Sequence, residues 1–172
     1  TVAARNPILE FVGNGVFLGL RVQIFVAVIV VVVAYYLLRH LKFGQYVYAI
    51  GANRGAADRA GIDTKRNIAL IYTLSGVCAG LAAILYLARF SAGAPQAGEP
   101  LLLDSIAMVV IGGASLFGGS GTIVGTLIGA LIIATIQFGL VVINVEPFWQ
   151  FIAVGLIIIV AVLIDQARGK FL

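Results

Sequence analysis

The chain has 172 residues, of which 62% are hydrophobic and only 10% charged, and its mean hydropathy is +1.12. Soluble domains carry about 25% charged residues, so water is not the solvent for most of this surface and the composition predicts an all-α polytopic membrane protein. A net charge of +4 would elsewhere suggest a nucleic-acid partner, but here the basic residues fall between apolar segments, where they set membrane topology. No nucleic-acid partner is expected, and the lipid bilayer is. Residues 22–38 and 151–164 are almost unbroken apolar runs, which excludes the alternating strands of a porin-like barrel.

The first clear span is 22–38, just long enough for a hydrocarbon core of about 30 Å when its ends are anchored. Tyr35, Tyr36 and Arg39 mark its interfacial end. The polar stretch 39–66 follows, carrying six of the eleven Lys and Arg residues, and is expected in the cytoplasm. A second span, 67–88, contains Gly76 and Gly80 at small-xxx-small spacing. Segment 89–103 reads as an external loop. The apolar stretch 104–142 is broken by Gly118, Gly119 and Gly121, which predicts a short span or re-entrant half-helix over 104–117 and a full span over 122–143. Asp104 and Thr122 are the predicted helix caps. The last span, 147–164, opens with Pro147 and the interfacial Trp149. About five spans result. Eight basic residues then lie inside with the C-terminus (six in 39–66, plus Arg168 and Lys170), against Arg5, Arg21 and Arg89 outside.

Little catalytic chemistry is on offer, and neither enzymatic activity nor a cofactor or metal is expected. His40 is the one histidine, and beside Arg39 and Lys42 it reads as a solvated basic residue; Cys78 is the one cysteine and reads as a small packing residue. Asp58, Asp63, Glu99, Asp104, Glu146 and Asp165 fall in loops or at span ends, so none reads as a mid-membrane proton relay. The spacing from Gly113 to Gly118 begins like a phosphate-binding loop, but Gly119 stands where the lysine belongs, so the chain does not bind ATP that way. The stretch GGASLFGGSGT reads instead as a tight reversal, followed by a smooth face of Gly121, Gly125 and Gly129. Polar residues within spans are few. Gln137, Thr73 and Ser75 are the expected lining of any translocation pathway, with Gln137 first.

Stretch 39–66 is the most informative. Asn53 is a candidate cap, Ala56 and Ala57 favour helix, and Gly61 is a stop, so a short helix over 52–62 is predicted. Taken alone, that helix is either a membrane-surface element whose Arg54 and Arg59 meet anionic headgroups, or a docking element for a cytoplasmic partner.

The motifs GANRGAADRAGI (51–62), LDSIAMVVIGGASLFGGSGTIVGTLIGALI (103–132) and PFWQFIAVGLIIIVAVLID (147–165), with FVGNGVFLGL (11–20) and KFGQYVYAIG (42–51), occur here in order. Together they resemble the C-terminal half of the ribose/xylose-type sugar ABC transporter permeases, over nearly the whole chain. The resemblance implies a single transmembrane permease domain over 1–172, the C-terminal half of a longer chain, as the absent initiator methionine also suggests. It implies a homodimeric, multi-pass subunit of the bacterial inner membrane that imports a monosaccharide. A periplasmic solute-binding protein would feed it and a separate cytoplasmic ABC ATPase would drive it. The family's coupling helix maps onto Asn53, Arg54, Ala56, Ala57, Asp58, Arg59, Gly61 and Ile62. Family members commonly carry an EAAR-like run there, whereas this chain has Gly55 before the Ala pair and Asp58 after it. A bulky substitution such as Ala57→Trp is expected to abolish stimulated ATP hydrolysis while sparing membrane insertion. A branched-chain amino-acid permease and a stand-alone carrier or channel are the competing readings.

Overall fold

The computed structural model describes residues 2–3, 13, 15–17, 19–90, 92–93 and 98–169. Arg5, Lys170 and most of the segment 91–97 lie outside the described residues. Two compact units divide the chain, Thr1–Ala97 and Gly98–Leu172.

In the first unit, β1 (Val2–Ala3) pairs antiparallel with β4 (Ala92–Gly93), and β2 (Val16–Phe17) with β3 (Leu20–Arg21). Among the described residues four longer helical elements follow: α1 (Val22–His40), α2 (Lys42–Ala52), α3 (Arg54–Arg59) and α4 (Thr64–Phe90). Near its start α1 meets the far end of α4, where Gln23 Nε2 donates to the Leu85 carbonyl at 3.4 Å. At the other end, α1 breaks at Leu41, which is extended (φ −100°, ψ 150°), and the chain turns directly into α2. Gly44 makes the turn possible, because a Cβ there would fall on the Leu38 carbonyl. Tyr36 stacks on His40 at 5.2 Å and the Arg39 guanidinium lies 5.6 Å over the Tyr35 ring, so the end of α1 is an aromatic and cationic collar of the kind that sits at a membrane interface.

The second unit holds α5 (Glu99–Ile111), α6 (Ile123–Val142) and α7 (Pro147–Gly169). α5 packs on both α6 and α7 around Ala107, Ile133 and Val154, with Met108 and Ile111 at the edge of this cluster. In lipid no hydrophobic force drives helices together, so their pairing depends on close van der Waals fit. Here glycine supplies the fit. A Cβ on Gly112 would come within 2.5 Å of the Gly125 carbonyl oxygen, one on Gly125 would fall on the Gly112 carbonyl, and one on Gly129 on that of Met108. The predicted smooth face is therefore present at Gly125 and Gly129. Gly121 lies ahead of the helix, at φ +154° against Ala114.

α1, α4 and α6 are each long and apolar enough to cross a membrane, and shorter apolar stretches lie in α5 and α7. The chain is a polytopic helical membrane protein. Boundaries differ from expectation in α4, in α5 and in α7, whose helix runs on to Gly169 beyond the expected end at 164. α4 begins at Thr64, not 67, because Asp63 Oδ1 accepts from the Arg66 N–H at 3.0 Å and carries the helix through the two cations. α5 begins at Glu99, with Pro in its first turn, so Asp104 lies inside the helix and does not cap it. α5 also stops at Ile111, and residues 112–117 belong to the turn, where Gly113 (φ +81°) closes a Schellman motif through Ala114 N–H to Val109 O and Gly113 N–H to Val110 O. Thr122 caps α6 as predicted, its hydroxyl oxygen accepting from Gly125 N–H at 3.0 Å. A further departure is α2, since 39–66 reads in sequence as a polar stretch with one short helix.

Candidate functional site: the α3 elbow

α3 has only six residues, too few to hold a helix by propagation alone, and its ends carry the stability. Asn53, itself extended at φ −158°, accepts the Ala56 N–H on its side-chain oxygen at 2.9 Å. At the other end Gly61 is left-handed (φ +81°), Gly61 N–H donates to Asp58 O, and Ile62 N–H to Ala57 O. That pair of bonds is a Schellman motif. The cap and the stop expected from sequence are both formed.

A third restraint joins α3 to the following span. The Thr64 hydroxyl donates to Asp58 Oδ1 at 2.6 Å, and Thr64 is only 3% exposed. Asn67, also buried, donates its side-chain amide to the Asp63 carbonyl at 2.8 Å. The end of α3, the turn 60–63 and the first turn of α4 thus form one hydrogen-bonded elbow. Asp58, which departs from the EAAR-like pattern, has an internal partner here. At Gly55 a Cβ would meet Arg59 Nη1 at 3.5 Å and Asn53 Oδ1 at 3.6 Å, ordinary contacts. The glycine is not required by space, and it costs the helix about 1 kcal/mol relative to alanine.

The structure sorts the eight residues assigned to coupling. Asn53, Arg54, Ala56, Asp58, Arg59 and Gly61 are exposed and Ile62 is half-buried, but Ala57 is only 4% exposed. Ala57 faces its own unit and seats the helix, so a tryptophan there would unseat α3 before it met any partner. Neither Arg54 nor Arg59 has an ion-pair partner among the described residues. The outward face of α3 is cationic.

Of the residues expected to line a pathway, Thr73 and Ser75 share a helix but not a face. Thr73 and Ser75 both lie exposed on α4, but a separation of two residues turns the helix by about 200°, so they point to opposite sides. Thr73 is also engaged by its own backbone, its hydroxyl donating to Ala69 O at 2.8 Å. Gln137 is half-buried on α6, in the other unit. Its level is defined by the glycine contacts: Gly112 meets Gly125 and Met108 meets Gly129, and continuing that antiparallel register places Gln137 level with the start of α5. Among the described residues, no group of three or more His, Cys, Asp or Glu side chains lies close enough to hold a metal ion.

Residues 2–162 match the family described as "Branched-chain amino acid transport system / permease component". The chain is 43% identical over 169 residues to the ribose import permease protein of Bacillus subtilis (strain 168), covering 98% of this chain and 52% of that protein. It is 42% identical over 156 residues to the ribose import permease protein of Escherichia coli (strain K12), covering 91% and 49%. With the xylose transport system permease protein of Haemophilus influenzae it shares 41% over 152 residues, covering 88% and 40%. The chain spans about half the length of the curated relatives it matches. No solved structure matches it.

Proposed function

Since the chain belongs to the branched-chain amino acid transport system permease family, we propose that it forms part of the membrane-spanning subunit of an ABC importer whose solute is a monosaccharide. In this reading residues 1–172 belong to one permease domain that works as a homodimer in the bacterial inner membrane. Stretch 39–66 and the C-terminus face the cytoplasm, as the count of six plus two basic residues supports. A periplasmic binding protein delivers the solute, and a separate ATPase hydrolyses ATP. The sugar permeases among the relatives, at 39–43% identity, favour a monosaccharide over the amino acid in the family description.

The observation that carries the coupling role is the elbow. A docking element transmits force only if it cannot bend independently of what it moves, and α3 is held by a cap, a Schellman stop and the Asp58–Thr64 bond to α4. Movement of an ATPase against Arg54, Ala56 and Arg59 would therefore reach α4 as a rigid-body tilt. No chemistry is asked of these residues. The pathway itself would need groups that bind a sugar weakly, and Gln137, a half-buried amide on α6, suits that role better than Thr73, whose hydroxyl is bonded to its own helix, and Ser75.

The solute is tested by reconstituting the complete importer in proteoliposomes and measuring ATP-dependent uptake of labelled ribose, xylose, fructose, allose and leucine. Uptake of at least one sugar and none of leucine is expected. Uptake of leucine alone would transfer the assignment to branched-chain amino acids, and sugar uptake without the ATPase would make the protein a stand-alone carrier.

A further inference from the structure

From the first unit alone, we propose that α1, α2 and α4 form a binding site for one anionic phospholipid, its phosphate against Arg66 and Tyr46 and an acyl chain between α1 and α4. Two adjoining hollows carry this. The first, about 330 Å³, is lined by Phe43, Tyr46, Ile62, Arg66, Asn67 and Leu70, half polar and half apolar in character. The second, about 340 Å³, is almost wholly apolar, with Val33, Leu37, Val47, Leu74, Cys78 and Leu81 among its walls. Phe43 borders both. α2 contributes Phe43 and Val47 to the apolar hollow, whose other walls come from α1 and α4, and the Gln23–Leu85 hydrogen bond joins those two helices at the far end.

Depth along α4 matches a lipid. Arg66 lies in the first turn of the helix, and Leu74, Cys78 and Leu81 follow it by eight to fifteen residues, or about 12 to 22 Å at 1.5 Å per residue. The polar hollow is thus at headgroup level and the apolar one at acyl depth. Charge matches as well. Stretch 39–66 has six basic residues against two acids, and both acids are engaged: Asp58 by the Thr64 hydroxyl, and Asp63, which borders the polar hollow, by the Arg66 N–H. The Arg66 side chain has no ion-pair partner among the described residues. Basic pockets between helix ends are a recurrent means of holding anionic headgroups. A soluble phosphate would use Arg66 alike but would leave the apolar hollow unexplained.

Cys78 reports on the site directly. The complete permease, with Cys78 as its only labelled thiol, is tagged with bimane and placed in nanodiscs containing brominated phosphatidylglycerol or brominated phosphatidylcholine. Phosphatidylglycerol is expected to quench at about a fifth of the mole fraction that phosphatidylcholine needs. Arg66→Gln should abolish that preference, and Arg54→Gln, outside the hollow, should keep it. Equal quenching by both lipids would overturn the proposal, as would a preference that survives Arg66→Gln. Absence of quenching would mean that protein covers the groove, and reversal by inorganic phosphate would mean a free-anion site; either result also overturns it.

Discussion

Gly129→Leu is expected to abolish the folded second unit, and Gly125→Leu to do nearly the same, while Gly139→Leu on the same helix is tolerated. Gly129 is buried, and its Cβ would fall on the Met108 carbonyl and lie 2.8 Å from Gly112 N, all backbone atoms that cannot rotate away. Separating α5 from α6 by the width of a side chain would also dismantle the Ala107, Ile133 and Val154 cluster. Overpacking that cannot relax costs upwards of about 3 kcal/mol, a large share of a membrane unit's stability. At Gly139 nothing lies within 4 Å of the added atom. Fluorescence-detected size-exclusion of the three variants checks this: a monodisperse peak for Gly139→Leu only is the expected pattern. Normal yields for Gly129→Leu would mean that α5 and α6 do not cross at these glycines.

Asp58→Ala is expected to weaken coupling far more than Asp58→Asn. Alanine leaves the nearly buried Thr64 hydroxyl without its acceptor, a loss of about 1–3 kcal/mol, whereas asparagine keeps an oxygen in place. If the elbow transmits movement, stimulation of ATP hydrolysis by solute-loaded binding protein should fall on the order of 5- to 10-fold in Asp58→Ala. The asparagine variant should stay near the parent. Basal hydrolysis by the ATPase should be alike in all three. Equal stimulation in Asp58→Ala would make this bond a local feature of the turn and nothing more.

Local rules reached some of these features and not others. The caps at Asn53 and Thr122 and the stop at Gly61 were readable because one residue's chemistry decides each, and a side-chain oxygen or a left-handed φ acts within a few residues. α2 is masked in the composition, because the basic residues on either side make 39–66 look uniformly solvated. Phe43, Val47 and Ile50 nonetheless recur at helical spacing and are all partly buried, a signal that a shorter window would have caught. At the start of α5 two local signals compete, a cap offered by Asp104 and Pro100 in the first turn, and the proline is the stronger marker. Ala57 shows a different limit: small residues suit a docking face and a buried seat equally, and only packing separates the two. Thr73 and Ser75 share polarity but not helix phase, and polarity alone does not place two residues on one face.

Replacing residues 52–62 by a Gly/Ser linker in the complete permease, then co-purifying it with its ABC ATPase, tests the coupling role of α3 most directly. The permease with its native elbow should retain the ATPase, and the linker version, still inserted and monodisperse, should lose it. Retention of the ATPase by both would contradict the assignment of α3 as the docking element.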